Sequence, residues 1–423
     1  MPRGLSPLRH RGFRLLASGQ LASNLGDAFY AVALPWYVLS DHGGALLLGI
    51  VLAAYGIPRT ALLAVGGHVS DRVRPWTVMM AADSVRAVAV AALASVAALA
   101  PPHAYLLVPI AVVVGAGEGM FVPGSFAIIP ALLPDEDLQA GNALSLGSTQ
   151  LATLVGPVVG GLAVVVLGPW LAFALDAVSF AVSAVTLGGV RAGQRDYSAR
   201  RAPARERGSE QPTLRGLLAR KPALRLMFVT NLAANLGSAG MGRVALPALA
   251  RGVFHTGAGG YGGLVAAMGG GMLLGTVVAG HVGRLRRPAV IDSLTLLGAA
   301  ALTAVAPFLG GLIGAGAALT AFGGLVGFGN VIIATAFQRW APRELMGRLM
   351  GLMILSSMGI MPVSVLLAGL VVNGLGAADY FPITAAVLAA AAVASLSQRS
   401  WREFGSSDAA DAADARSPGA TCG

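Results

Sequence analysis

Gly67-His68-Val69-Ser70-Asp71-Arg72-Val73-Arg74-Pro75 returns about half a chain later as Gly280-His281-Val282-Gly283-Arg284-Leu285-Arg286-Arg287-Pro288. Each copy closes one long apolar run and precedes another. A polar loop repeated at equivalent points of two halves implies a duplicated bundle of membrane spans, the build of a secondary transporter. The copies differ in charge, because Asp71 stands where the second has Arg284. The architecture repeats; the polar chemistry does not.

Composition agrees. The chain has 423 residues, 56% hydrophobic and 11% charged, with mean hydropathy +0.73, which excludes an ordinary water-soluble domain. Its 58 glycines suit helices that pack closely in lipid, and also suit a high-GC genome. The single cysteine, Cys422, leaves no internal disulfide and no cysteine metal site. His10, His42, His68, His103, His255 and His281 fall in or near loops without metal-ligand spacing. No nucleophile elbow, Walker loop or zinc-protease motif appears, so neither an enzyme nor ATP coupling is expected, and no cofactor or metal.

A span needs about 20 apolar residues to cross ~30 Å of hydrocarbon. Twelve runs qualify, at 14–39, 45–69, 76–99, 104–129, 138–166, 169–190, 223–250, 258–283, 289–310, 312–337, 346–372 and 379–398. The expected architecture is all-α and integral to the membrane, with twelve transmembrane helices in two pseudo-symmetric six-helix bundles. Residues 1–190 form the first bundle and 223–400 the second, joined by a basic linker at 191–222 and followed by a disordered tail at 401–423. The net charge of +10 is concentrated in alternate loops, which by the positive-inside rule places both termini in the cytoplasm of a plasma-membrane protein. Tyr197 is the only aromatic residue among the arginines of the linker, so anionic lipid rather than nucleic acid is its expected partner.

Several segments together resemble the major facilitator superfamily. Gly67, Asp71, Arg72 and Arg74 match its loop motif between the second and third spans. Gly156-Pro157-Val158-Val159-Gly160-Gly161 is similar to the motif of its proton-coupled drug exporters. Phe13-Arg14-Leu15-Leu16, Asn24-Leu25-Gly26-Asp27 with Ala33-Leu34-Pro35, and Pro130 to Pro134 followed by Gly141-Asn142-Ala143-Leu144 resemble the third drug:proton antiporter subgroup, which includes macrolide and siderophore exporters. The resemblance implies alternating access around a central cavity lined by spans 1, 4, 7 and 10. One departure matters: span 4 reads Gly115-Ala116-Gly117-Glu118-Gly119, without the arginine that many antiporters carry there.

Ionisable residues inside spans are costly to insert, so each is a candidate functional site. Asp27 and Glu118 lie near the midplane, and the resemblance puts both against the cavity, as candidates for proton coupling. A carboxyl group out of water exchanges its proton nearer neutral pH. The bland alternative pairs each with a fixed arginine, and Arg59, deep in span 2, is the candidate partner for either. Asp83 and Arg86 share a face at i, i+3 and read as a structural clamp. Asp176 and Arg243 are secondary candidates, as an outer gate or substrate contacts. Asp71 and Arg72 at the cytoplasmic mouth are a one-sided latch or a solvated turn. Gly156, Pro157, Gly160 and Gly161 form a hinge or ordinary tight packing.

The implied function is export of a drug-like or natural-product compound in exchange for protons, by a protein expected to be a monomer. A lipid or lysolipid flippase, or a dedicated siderophore or antibiotic exporter, is the alternative. A non-transporting receptor or scaffold would need a large soluble region, and the longest loop is the linker.

Overall fold

The computed structural model describes residues 3–40, 43–72, 74–191, 222–282, 285–340 and 346–404. Every regular element among them is helical. The membrane-spanning set opens with α1 (Arg11–Ser40), α2 (Gly44–Arg72), α3 (Pro75–Leu99), α4 (Ala104–Leu132), α5 (Asp135–Leu167) and α6 (Pro169–Arg191). It continues with α7 (Pro222–Gly240), a π-helical turn (Met241–Ala245), α8 (Leu246–Gly252), α9 (Ala258–His281), α10 (Pro288–Val305), α11 (Gly311–Trp340), α12 (Met346–Leu375) and α13 (Ala377–Ser397). α7, the π turn and α8 follow one another without a break and count as one span, which gives twelve among the described residues. Nine of the described helices are long and apolar enough to cross a bilayer by length and composition alone. The helical fold follows from the solvent: hydrocarbon offers no partner for a backbone N–H or C=O, so each segment must satisfy its own. Large apolar side chains such as Val88, Leu162, Val185 and Leu274 are exposed, which costs nothing where the surroundings are hydrocarbon.

The described residues fall into two compact units, the first from 3–191, 243–266 and 365–374 and the second from 222–242, 267–364 and 375–404. In the first unit α1 packs on α5 and α6, and α3 on α4 and α6. Phe13, Leu16, Met79, Ile128 and Leu187 bury together at one end of it. In the second unit Leu224, Met227, Phe337, Trp401 and Phe404 do the same.

Small residues decide which helices come closest. In the first unit Gly115 and Gly119 of α4 lie against the backbone of α2, where an added Cβ at Gly119 would sit 2.5 Å from the Arg59 carbonyl. In the second unit Gly271 and Gly275 of α9 meet the α11 backbone at Thr320 and Gly324 in the same way. Glycines four apart form a flat stripe on which a second helix can lie. The duplication read from the loops thus reappears as a duplicated glycine seam.

Candidate functional site

The α2–α4 seam places two of the candidate residues. With no Cβ at Gly119 to hold α2 away, Arg59 reaches across to Glu118, Nη2 to Oε1 at 2.9 Å. The arginine and glutamate side chains are 13% and 17% exposed. Arg59 had two candidate partners in the sequence, and Glu118 is the one it touches.

Arg86 organises a second cluster. It is 2% exposed and threads past Gly117 of α4, whose added Cβ would lie 2.6 Å from Arg86 Cγ. Its Nη2 donates to Asp27 Oδ1 at 2.7 Å and its Nη1 to Asp83 Oδ1 at 3.4 Å. Its guanidinium lies over the Phe180 ring, 3.8 Å from the centroid, an attractive placement of cation on ring face. The expected Asp83–Arg86 pair is therefore one arm of a larger group that includes Asp27.

Asp176 of α6 completes the cluster at 1% exposure, accepting from Ser179 Oγ at 3.3 Å. Gly26 lets α1 approach α6 beside these two side chains. Asp176 Oδ2 and Asp83 Oδ2 find no hydrogen-bond partner among the described residues. One guanidinium thus serves two carboxylates directly, with a third buried nearby. Asp27 differs from the others in being reachable, since its side chain is 43% exposed while Asp83 is fully buried. A group that is half open and bonded to a buried charge can exchange a proton with water and report the exchange inward.

The α5 glycine motif touches two helices in the first unit. Gly160 lies against Phe29 of α1, its added Cβ 3.1 Å from Phe29 Cα, two residues from Asp27. Gly161 faces Ala258 at the start of α9, where an added Cβ would lie 2.9 Å from the Ala258 carbonyl oxygen, and a Cβ added at Gly262 would meet the Pro157 carbonyl. Arg243, in the π turn, is exposed. Gly67, Asp71 and Arg72 fall in the last turns of α2, where side chains lie outside the described residues, and Arg74 is exposed. The linker at 192–221 and the tail at 405–423 also lie outside them.

Sequence reasoning missed polar contacts made by uncharged or overlooked residues. Asn24 of α1 donates to Ser148 and Thr149 of α5 at 3.2 and 3.3 Å. Asn231 of α7 donates to Ser356 and Ser357 of α12 at 2.7 and 3.0 Å. Asp292, in α10 beside Gly329, was also missed, although an acid within an apolar run is itself the signal. Asp137, at the polar start of α5, accepts from Ser6 Oγ at 2.5 Å and meets His10 Nε2 at 3.0 Å.

The profile of the Major Facilitator Superfamily matches residues 16–363. The multidrug efflux pump Tap of Mycolicibacterium fortuitum is 29% identical over 160 residues, 36% of this chain and 39% of that protein. The chain therefore spans about two fifths of the length of that relative. The enterobactin exporter EntS of Salmonella paratyphi A is 25% identical over 354 residues, 81% of each chain. Among solved structures, a peptide transporter POT superposes with TM-score 0.70 at 15% identity, over 93% of this chain and 96% of that one.

Proposed function

The chain belongs to the Major Facilitator Superfamily, a family of transporters and not of enzymes, and on that premise we propose that it exports an amphipathic organic compound in exchange for protons. In this reading it resides in the plasma membrane with both termini in the cytoplasm, and its two halves, 1–190 and 223–400, alternate access by rocking. The efflux functions named for the Tap and EntS relatives support the direction of transport.

The observation that carries the reading is the Asp27–Arg86 contact, one partner open to solvent and the other buried. Protonating Asp27 neutralises its half of the ion pair and leaves the Arg86 charge to Asp83 and Asp176. That redistribution couples a proton to helix packing, because the four groups sit on α1, α3 and α6. Glu118, paired to Arg59 across α2 and α4, is the second coupling candidate.

The test is proton-dependent efflux from inverted membrane vesicles bearing the full chain. Ethidium should be taken up when a pH gradient is imposed and released when it is collapsed. Uptake that persists without the gradient removes proton antiport.

A further inference from the structure

Ser364 of α12 reaches into the backbone of the seventh span. Its hydroxyl accepts from the Gly240 N–H at 2.8 Å and donates to the Leu236 carbonyl at 2.6 Å. Residues 236 and 240 stand four apart, so these two groups are the partners that an α-helix joins directly. The Gly237 carbonyl beside them accepts from Tyr380 Oη at 3.4 Å and Thr384 Oγ1 at 3.5 Å, both on α13. Ser364 is fully buried, Thr384 is 2% exposed and Tyr380 5%. Immediately beyond, the span leaves α geometry for the π-helical turn Met241–Ala245. Single π turns inside helices are rare and frequent at functional sites. α12 is weakened at the same level, because Pro362, two residues before Ser364, has no N–H to give its own helix. All of these contacts lie in the second unit, two of whose bounds fall at Gly242 and Ser364.

The first half is built differently at the matching place. Asn24-Leu25-Gly26 and Val32-Ala33-Leu34-Pro35 of the first span return in the seventh as Asn235-Leu236-Gly237 and Val244-Ala245-Leu246-Pro247. Asn and Pro are 11 positions apart in the first copy and 12 in the second. The shorter copy lies in α1, which is α-helical without a break from Arg11 to Ser40. The fifth and eleventh spans also correspond, as Pro157-Val158-Val159 and Pro362-Val363-Ser364. A valine without a hydroxyl therefore packs in the helix beside the unbroken span, and a serine in the helix beside the π turn.

A hydroxyl bridge of this kind opens without stranding a polar group. Once withdrawn, it leaves the Gly240 N–H and the Leu236 C=O to each other. The serine can then bond the carbonyl one turn back in its own helix, that of Ile360. Every group keeps a partner in both arrangements, as hydrocarbon requires. A side chain with two such arrangements is a two-state element that a transport cycle can bias.

We propose that Ser364 is a positioning residue for transport, a releasable latch that fixes the seventh span to the eleventh beside the π turn in one half of the cycle and frees it in the other. The proposal rests on the alternating-access reading and is independent of the ion that drives it.

The experiment uses the purified full chain with Cys422→Ser, spin-labelled at Val229→Cys and Gly252→Cys and read by double electron–electron resonance in lipid nanodiscs. The two positions flank the π turn; Val229 is 60% exposed, and nothing lies within 4 Å of a Cβ added at Gly252. The wild type should show two distances. Ser364→Ala should keep the wild-type Tm and shift the ratio of the two forms roughly threefold, the worth of an average interhelical hydrogen bond in a membrane. Ser364→Thr, which keeps the hydroxyl, should restore the ratio. A single distance in the wild type overturns the latch without recourse to any variant. So does an unchanged ratio in Ser364→Ala, a failure of Ser364→Thr to restore it, or a Ser364→Ala chain that does not fold, since its bridged groups would then have no partner in each other. A single distance with proton-driven ethidium uptake intact removes the latch alone; two distances governed by Ser364 with uptake indifferent to the pH gradient remove proton antiport alone.

Discussion

Arg86 holds its neighbourhood together, and its removal should cost more than the loss of either acid it touches. Arg86→Leu leaves Asp27, Asp83 and Asp176 without their common counter-charge, a change of the kind that costs about 3–5 kcal/mol. The expected outcome is poor folded yield and a Tm several degrees lower by detergent thermal denaturation. Asp27→Asn should be mild in the same assay, because that side chain is 43% exposed and Asn can still accept a hydrogen bond from Arg86. It should nonetheless abolish substrate-induced proton release from the purified protein, with binding retained. Unchanged proton release would pass the coupling role to Glu118 or Asp176. Asp137 is a different case, outside the hydrocarbon. The hydroxyl of Ser6, and then the His10 ring, hold its carboxyl below the ordinary carboxylate range. A carboxyl with a lowered folded pKa contributes stability above its unfolded value, about 3.9, and that contribution is lost as pH falls through the folded value. Asp137 should therefore anchor the N-terminal segment at neutral pH and release it as pH falls below the ordinary carboxylate range. Limited proteolysis of that segment as a function of pH, with Asp137→Asn as control, checks this.

At the scale of the helix pair, the α2–α4 seam makes the ion pair possible. Arg59 and Glu118 meet because Gly115 and Gly119 let two backbones touch. Gly119→Ala places a methyl 2.5 Å from the Arg59 carbonyl oxygen, so α2 must withdraw. Overpacking of this kind costs about 1–3 kcal/mol, and here it also stretches the salt bridge. Gly147→Ala is the control, since nothing lies within 4 Å of the added Cβ and a better helix former replaces glycine in mid-helix. Its Tm should hold or rise, by up to ~1 kcal/mol of propensity. Equal losses in the two variants would show that the seam is not a special contact.

Across the whole molecule each unit carries an uncharged polar contact between its helices. Asn24 bridges the first and fifth spans within one unit, and Asn231 the seventh and eleventh within the other. Interhelical hydrogen bonds in membranes average about 0.6 kcal/mol, so Asn24→Ala and Asn231→Ala should each lower Tm slightly. The double variant should lose the sum, because the sites share no partner; a loss beyond additivity would reveal coupling between the halves. Much of the design was legible in the sequence. The length and spacing of the apolar runs dictated a polytopic helical fold, since a backbone in hydrocarbon can satisfy itself only within a helix. The repeated loop revealed the duplication, and the cost of burying charge singled out Asp27, Asp83, Arg86, Glu118 and Asp176. What the linear order could not decide was pairing. Arg86 lies three residues from Asp83 and 59 from Asp27, yet its shorter contact is to Asp27. Arg59 had two acids to choose between until the glycines of α4 brought Glu118 beside it. An apolar run in lipid carries little trace of which face turns inward, because every face is apolar. Helix rotation and neighbour order are settled by backbone-to-backbone packing at a few small residues, and only the tertiary structure contains that.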